Sequence, residues 1–282
     1  MFNLQKIVID SFVQELKGAY EQTYSLIHPE YGNIIAWAGR LALENLANSD
    51  ALYHNMEHTI MVTLVGQSIL RGKHLSEGGV SPQDWLLFMV ALLCHDIGYV
   101  RGICQADRPR EGLFATGVGE ELVNLPATGS DAVLKDYHVD RGKLFVRERF
   151  GGALTFAVDV DRVTEYIEMT RFPPPPDPFY QDTAGYHGLI RAADFIGQMG
   201  DPKYVLKIPA LFYEFEEVGA NKATGYTCPD DMRRGYADFY WNMVSPLIQD
   251  ALRYLRVTQE GKYWIANLHA HVFDSEHYEK LW

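Results

Sequence analysis

The sequence predicts an all-α fold, a helical bundle that carries a C-terminal helical extension. Three observations predict it. Apolar side chains recur at three- and four-residue intervals over most of the 282 residues. The segment Ser81-Pro82-Gln83-Asp84 has the chemistry of a helix start: a hydroxyl cap, a proline at the first helical position and a carboxylate near the positive helix end. No two segments alternate apolar and polar residues in a way that reads as a pair of strands.

The elements follow in order. Residues 4–27 and 31–47 repeat with helical spacing, with Pro29 between them. A third helix is predicted from about Asn55 to Arg71. A fourth opens at Ser81 and ends near Gly98, and its run Trp85–Cys94 is apolar on every side. That run is about half the ~20 residues needed to span a bilayer, so it reads as a buried core helix and not as a membrane segment. Residues 99–130 are broken by glycines and by Pro109 and Pro126, which predicts loop with one short helix near 118–124. Helical spacing returns over 131–150 and 158–171. The run Phe172-Pro173-Pro174-Pro175-Pro176-Asp177-Pro178 must interrupt it as a stiff connector. Helices are predicted again over 181–200, 203–218 and 230–257. The last 25 or so residues, with Tyr263, Trp264, Phe273, Tyr278 and Trp282, receive no assignment. The chain reads as a single domain, 1–282, in which residues 202–282 elaborate the core.

Composition narrows the function. A net charge of −12 and a pI of about 5.3 disfavour duplex nucleic acid as a partner. They leave room for a small phosphorylated substrate at a locally cationic site. Three cysteines, Cys94, Cys104 and Cys228, fit no zinc-binding spacing and read as reduced thiols of a cytoplasmic protein. The N-terminus lacks a charged start followed by a sustained apolar stretch, so no signal peptide is expected. The run Phe239-Tyr240-Trp241 reads as core or as a contact within a homo-oligomer.

Four scattered residues carry the chemistry: His58, His95, Asp96 and Asp194. His95-Asp96 ends the apolar fourth helix, and Asp194 lies inside another apolar helix. A carboxylate in such surroundings needs a partner. An ion pair is the plain alternative for each, and Arg191, three residues before Asp194, is a candidate for one of them. Two imidazoles and two carboxylates on three core helices are more economically explained by one divalent cation with about two positions left for water and substrate. His54, four residues before His58, would share a helix face with it.

Tyr53-His54-Asn55-x-x-His58, followed by His95-Asp96 and then Asp194, resembles the HD superfamily of metal-dependent phosphohydrolases. The Tyr-His-Asn opening is most similar to its cyclic-nucleotide phosphodiesterase branch, and the likeness covers roughly residues 50–200. The resemblance implies an HD-domain helical bundle that cleaves phosphoester bonds of a small phosphorylated molecule, such as a nucleotide or cyclic nucleotide. It implies His58, His95, Asp96 and Asp194 as ligands of a first metal. His54 corresponds to the acid that protonates the leaving oxygen, and Asp194 doubles as acceptor of the water's proton. Tyr99 stands where phosphodiesterases have the second histidine of HDxxH. His138, followed by Gly142, resembles the first of two further histidines of two-metal members, but no histidine stands near Thr170 for the second. The expectation is one tightly held ion (Mn, Fe, Zn, Ni or Mg), with a second weak or absent. His138, Arg171, Lys143 and Arg147 are the candidates for a second metal or for phosphate, and the loop arginines Arg101, Arg108 and Arg110 add further positive charge. A di-iron oxygenase of the same fold needs more histidines than this, and a ligand-sensing module without chemistry has no need of His54. His269-Ala270-His271 reads as an exposed tail pair.

Overall fold

The most hydrophobic run of the chain becomes the centre of the molecule. The computed structural model describes residues 3–25, 27–126, 128–152 and 157–277. Its fourth helix, α4 (Pro82–Cys94), has every side chain from Trp85 to Cys94 fully buried. Each large apolar side chain so placed contributes about 1.5–3 kcal/mol. Ser81 caps α4: its hydroxyl accepts from the Asp84 amide at 3.0 Å, and the Asp84 carboxylate reaches back to the Ser81 amide.

The helices before it are α1 (Leu4–Tyr24), α2 (Pro29–Leu46) and α3 (Met56–Glu77). After it come α5 (His138–Phe150), α6 (Val160–Glu168), α7 (Tyr186–Met199) and α8 (Tyr204–Glu217). The extension comprises α9 (Asn221–Thr224), α10 (Pro229–Arg234), α11 (Tyr236–Phe239), α12 (Ser245–Leu255) and α13 (Gln259–Glu276). The fold is all-α, as the periodicity predicts. α1 pairs with α2, and α4 lies against α2, α3 and α6. α3 and α7 run along each other, and α12 packs on both.

Glycine permits the α3–α7 approach. A Cβ on Gly197 would lie 2.6 Å from the Val62 backbone, so any larger residue there pushes the two helices apart.

Three expectations need correction. Residues 118–124 do not form a helix. Leu113–Ala115 (β1) and Leu122–Asn124 (β2) form a small antiparallel hairpin, with Phe114 opposite Val123. Its strands are too short for alternation to show in sequence, and the glycines between them serve the turn. The helix expected over 230–257 is broken into α10, α11, a wide i→i+5 turn over Tyr240–Val244, and α12. Gly235 and Pro246 fall at those junctions. The unassigned C-terminus is largely α13, whose buried face is Trp264, Leu268 and Val272. Tyr278 and Trp282 lie outside the described residues.

One buried cation organises the loop after Asp96. Arg141 on α5 donates to both Asp107 oxygens at 3.0 and 2.9 Å and to the carbonyls of Gly98, Val100 and Ala115. All its donors are used, so it acts as a structural pin. Among the described residues, no helix is long and apolar enough to cross a membrane.

Candidate metal centre and active site

Asn55 is the residue that starts the site. Its side-chain oxygen accepts from the amides of Glu57 at 2.9 Å and His58 at 3.4 Å, capping α3. His58 therefore sits in the first turn of α3, buried. His54 precedes the cap and is not helical, so the shared helix face expected for the pair is replaced by a turn. Their rings still meet, with centroids 5.5 Å apart.

His95 follows the last residue of α4, Asp96 comes next, and Asp194 projects from the middle of α7. The tips converge. His58 Nε2 lies 3.3 Å from an Asp96 oxygen and 3.4 Å from an Asp194 oxygen. His95 Nε2 lies 3.2 Å and 3.7 Å from the same two oxygens. Two ligands about 2.1 Å from a shared ion stand about 3.0 Å apart when adjacent and about 4.2 Å apart when opposite. All four separations fall in that interval.

The chemistry of the donors fits a cation as well. His95 Nδ1 lies 2.7 Å from the Leu92 carbonyl and donates to it, which turns the Nε2 lone pair toward the carboxylates. Among the described residues, buried His95 Nε2 and Asp96 Oδ2 have no hydrogen-bond partner although they lie so close together. Buried polar atoms left in this way mark a missing partner. Two overlapping triads, His58, His95 and Asp194 and His54, His58 and Asp96, bring donor atoms close enough together to hold a metal ion.

Arg191 does not pair with Asp194. Its guanidinium turns away and donates to the carbonyls of Tyr180 and Asp182, both at 2.6 Å, anchoring the segment before α7. Nor is Asp194 as buried as its apolar helix suggests. Its side chain keeps 23% exposure and reaches the cavity described below, whereas that of Asp96 keeps 4%.

Electrostatics bind the group together. Burial would raise the Asp96 pKa, but His95 and His58 hold it well below the ordinary carboxylate value. Burial would discharge His95, but Asp96 and Asp194 override this and push it up to about 9. His58 is raised against its burial by the same two carboxylates. The carboxylates thus favour positive charge at this point, whether carried by protons or by a cation.

Glu214 escaped sequence reasoning. It lies on α8 with its side chain 2% exposed and is hydrogen bonded to His54 Nδ1. Its other oxygen accepts from the Tyr53 amide at 2.8 Å and the His54 amide at 3.3 Å. The sequence holds little signal for it: α8 also carries Glu216 and Glu217, and packing decides that Glu214 is the one that turns inward. Burial opposes charge on His54, and Glu214 outweighs it, so the ring's pKa is raised. His54 leaves Nε2 toward the cavity.

Tyr99 follows three residues after Asp96 and packs on the site. Its ring is stacked between His54 (centroids 4.7 Å apart) and His138 (4.5 Å apart). His138 Nδ1 is bonded to the Lys135 carbonyl, and its Nε2 lies 3.8 Å from the second Asp96 oxygen. Burial keeps His138 neutral by lowering its pKa, with Asp96 only partly opposing. It is the one candidate second-metal residue directed at the first group.

A cavity of about 670 Å³ opens on these residues. Arg171 lines it, as does Lys135, which sequence reasoning also passed over. Lys143 and Arg147 do not. Lys143 is paired with Asp140 and Glu168, and Arg147 points to Thr164 at 3.4 Å. Arg101 is spent on the Ser130 carbonyl and Asp131, and neither Arg108 nor Arg110 reaches the cavity. His271 bonds the Met199 carbonyl, and His269 is exposed.

Comparison with curated proteins and with solved structures finds no match. A family model covers nearly the whole chain, residues 2–278, and on that basis the protein belongs to the Npun_R2479-like family.

Proposed function

We propose that the protein is a metal-dependent phosphohydrolase of the HD type, acting on a phosphoester of a small molecule. One observation carries the reading: buried, unpartnered imidazole and carboxylate atoms converge beside a cavity whose next residue is a carboxylate-held histidine. His58, His95, Asp96 and Asp194 would hold one divalent ion. Bound there, the ion supplies a water activated near neutral pH and polarisation of a phosphoryl oxygen.

The remaining steps belong to the chain. Asp194, partly exposed to the cavity, accepts the proton of the attacking water. Glu214 fixes the tautomer of His54 and keeps the ring charged, so that Nε2–H donates to the departing oxygen. Tyr99, packed flat on His54, fixes the plane of that ring. Lys135 faces the charge that develops on the phosphoryl group. Three free cysteines, two of them buried, suit the reducing cytoplasm where we place the protein.

The test is a panel of phosphomonoesters and phosphodiesters offered to protein loaded with Mn, Fe, Zn, Ni or Mg. Turnover should fall at least ~100-fold in Asp96→Ala together with metal content. Hydrolysis that persists in this variant removes the reading.

A further inference from the structure

Resting on the hydrolase reading, we infer that the substrate carries a single negative charge on an uncharged, largely apolar or aromatic body. Phosphodiesters or monoanionic esters of this kind fit. Sugar phosphates and polyphosphates do not.

The first argument is the cavity's composition. The His/Asp group lines one part of it, and most of the remaining lining is apolar or aromatic, with Gln198, Thr170 and Thr224 the uncharged non-aromatic polar side chains among it. Phe172, Phe195 and Phe239 form one side of it, with Phe172 edge-on to Phe195 at 6.0 Å and to Phe239 at 5.9 Å between centroids. Leu211, Met232 and Met243 continue the wall. Methionine and aromatic side chains offer adaptable contact to a flat or branched apolar group and little to hydroxyls. A volume of about 670 Å³ is of the size that encloses a whole small molecule beyond its phosphoryl group.

The second argument is a count of charge around the His/Asp group. A divalent cation held there would balance Asp96 and Asp194. His54 and Glu214 are paired with each other. Arg171 reaches the cavity, but it is held by Asp140 at 2.9 Å and by Glu168, and Lys143 shares both carboxylates. Two cations are thereby matched by two anions. Lys135 lies 3.7 Å from Asp136, which also lines the cavity. Among the described residues lining the cavity, each cationic side chain has a carboxylate beside it, so negative charge beyond the one group held at the ion would go uncompensated. A polyanion would enter a site that is already neutral inside a protein of net charge −12.

The test compares two monoanions without an ester bond that differ only in their body, methyl(phenyl)phosphinate and dimethylphosphinate. Both are titrated by calorimetry into Mn-loaded protein, and fructose bisphosphate is the polyanionic probe. The phenyl compound should bind at least about tenfold tighter than the methyl compound, and fructose bisphosphate more weakly than the phenyl compound. Phe239→Ala and Phe172→Ala, both on the cavity wall, should each cut the phenyl affinity several-fold and leave the methyl affinity unchanged. Equal affinity for the two phosphinates, or tightest binding of fructose bisphosphate, overturns the inference. Turnover of bis(nitrophenyl) phosphate is measured in parallel. Phenyl preference without turnover sinks the hydrolase reading and supports the apolar site. Turnover without phenyl preference does the reverse.

Discussion

Glu214 and His54, 160 residues apart in the chain, form a buried carboxylate–imidazole pair at the edge of the candidate metal centre. The same carboxylate also receives the backbone amides of Tyr53 and His54. One side chain therefore fixes the position, the tautomer and the charge of the proposed acid.

Glu214→Gln keeps the shape and weakens the charge. The expected outcome is a 10–100-fold fall in turnover, comparable to the loss of other carboxylates behind an active imidazole, with bound metal unchanged. The alkaline limb of the pH–rate profile should move to lower pH, because Glu214 is what raises the His54 pKa. Metal analysis and a pH profile on the same preparation check this. An unmoved profile would mean that His54 is not the acid.

Metal and protons compete for the same histidines. His95 is pushed up to about 9 without a cation, so at neutral pH an entering ion must displace a proton. Affinity for Zn or Mn should climb as pH rises from about 6 to 9, close to tenfold per unit for each proton released. Calorimetry in buffers of different ionisation enthalpy counts those protons. An affinity flat across this range contradicts the assigned ligands.

Glu168 joins α6 to α5 and to the proline-rich connector by accepting from Arg171, Lys143 and the Tyr180 hydroxyl. Burial would raise its pKa, but these partners lower it from 4.5 to about 2. A depressed carboxylate contributes stability above its unfolded pKa and loses it as pH falls through the folded value. Glu168→Gln should therefore cost on the order of 2 kcal/mol at pH 7. The gap from wild type should close between about pH 5 and pH 2. Urea unfolding at several pH values measures it, and a gap independent of pH would assign the loss to packing alone.

Gly197 sets the separation of α3 and α7, the helices that carry His58 and Asp194. Gly197→Ala should destabilise the fold by about 1–3 kcal/mol through overpacking and weaken metal binding more than a surface alanine would. Thermal unfolding with and without Zn reads both effects. Equal stabilisation by Zn in variant and wild type would show that the site tolerates the shift.

Much of the helix inventory was legible beforehand, because a 3.6-residue apolar period and the Ser81–Asp84 start are local properties of the chain. The hairpin, the breaks after α10 and α13 were not. Short strands and interrupted helices depend on what they pack against, and the chain carries little local signal for them.

The sequence by itself determined the all-α class, the buried α4 and the residue types needed to hold a cation, since those follow from periodicity and donor chemistry. Tertiary structure alone decided that Arg191 faces the Tyr180 and Asp182 carbonyls instead of Asp194, and that Lys143 is spent on Glu168. It also decided that Glu214 serves His54 and that Phe172, Phe195 and Phe239 line the same cavity as the His/Asp group. Each of these depends on which distant side chains come within about 3–4 Å of each other, the range over which hydrogen bonds and close ion pairs act, and no spacing along a chain specifies that distance.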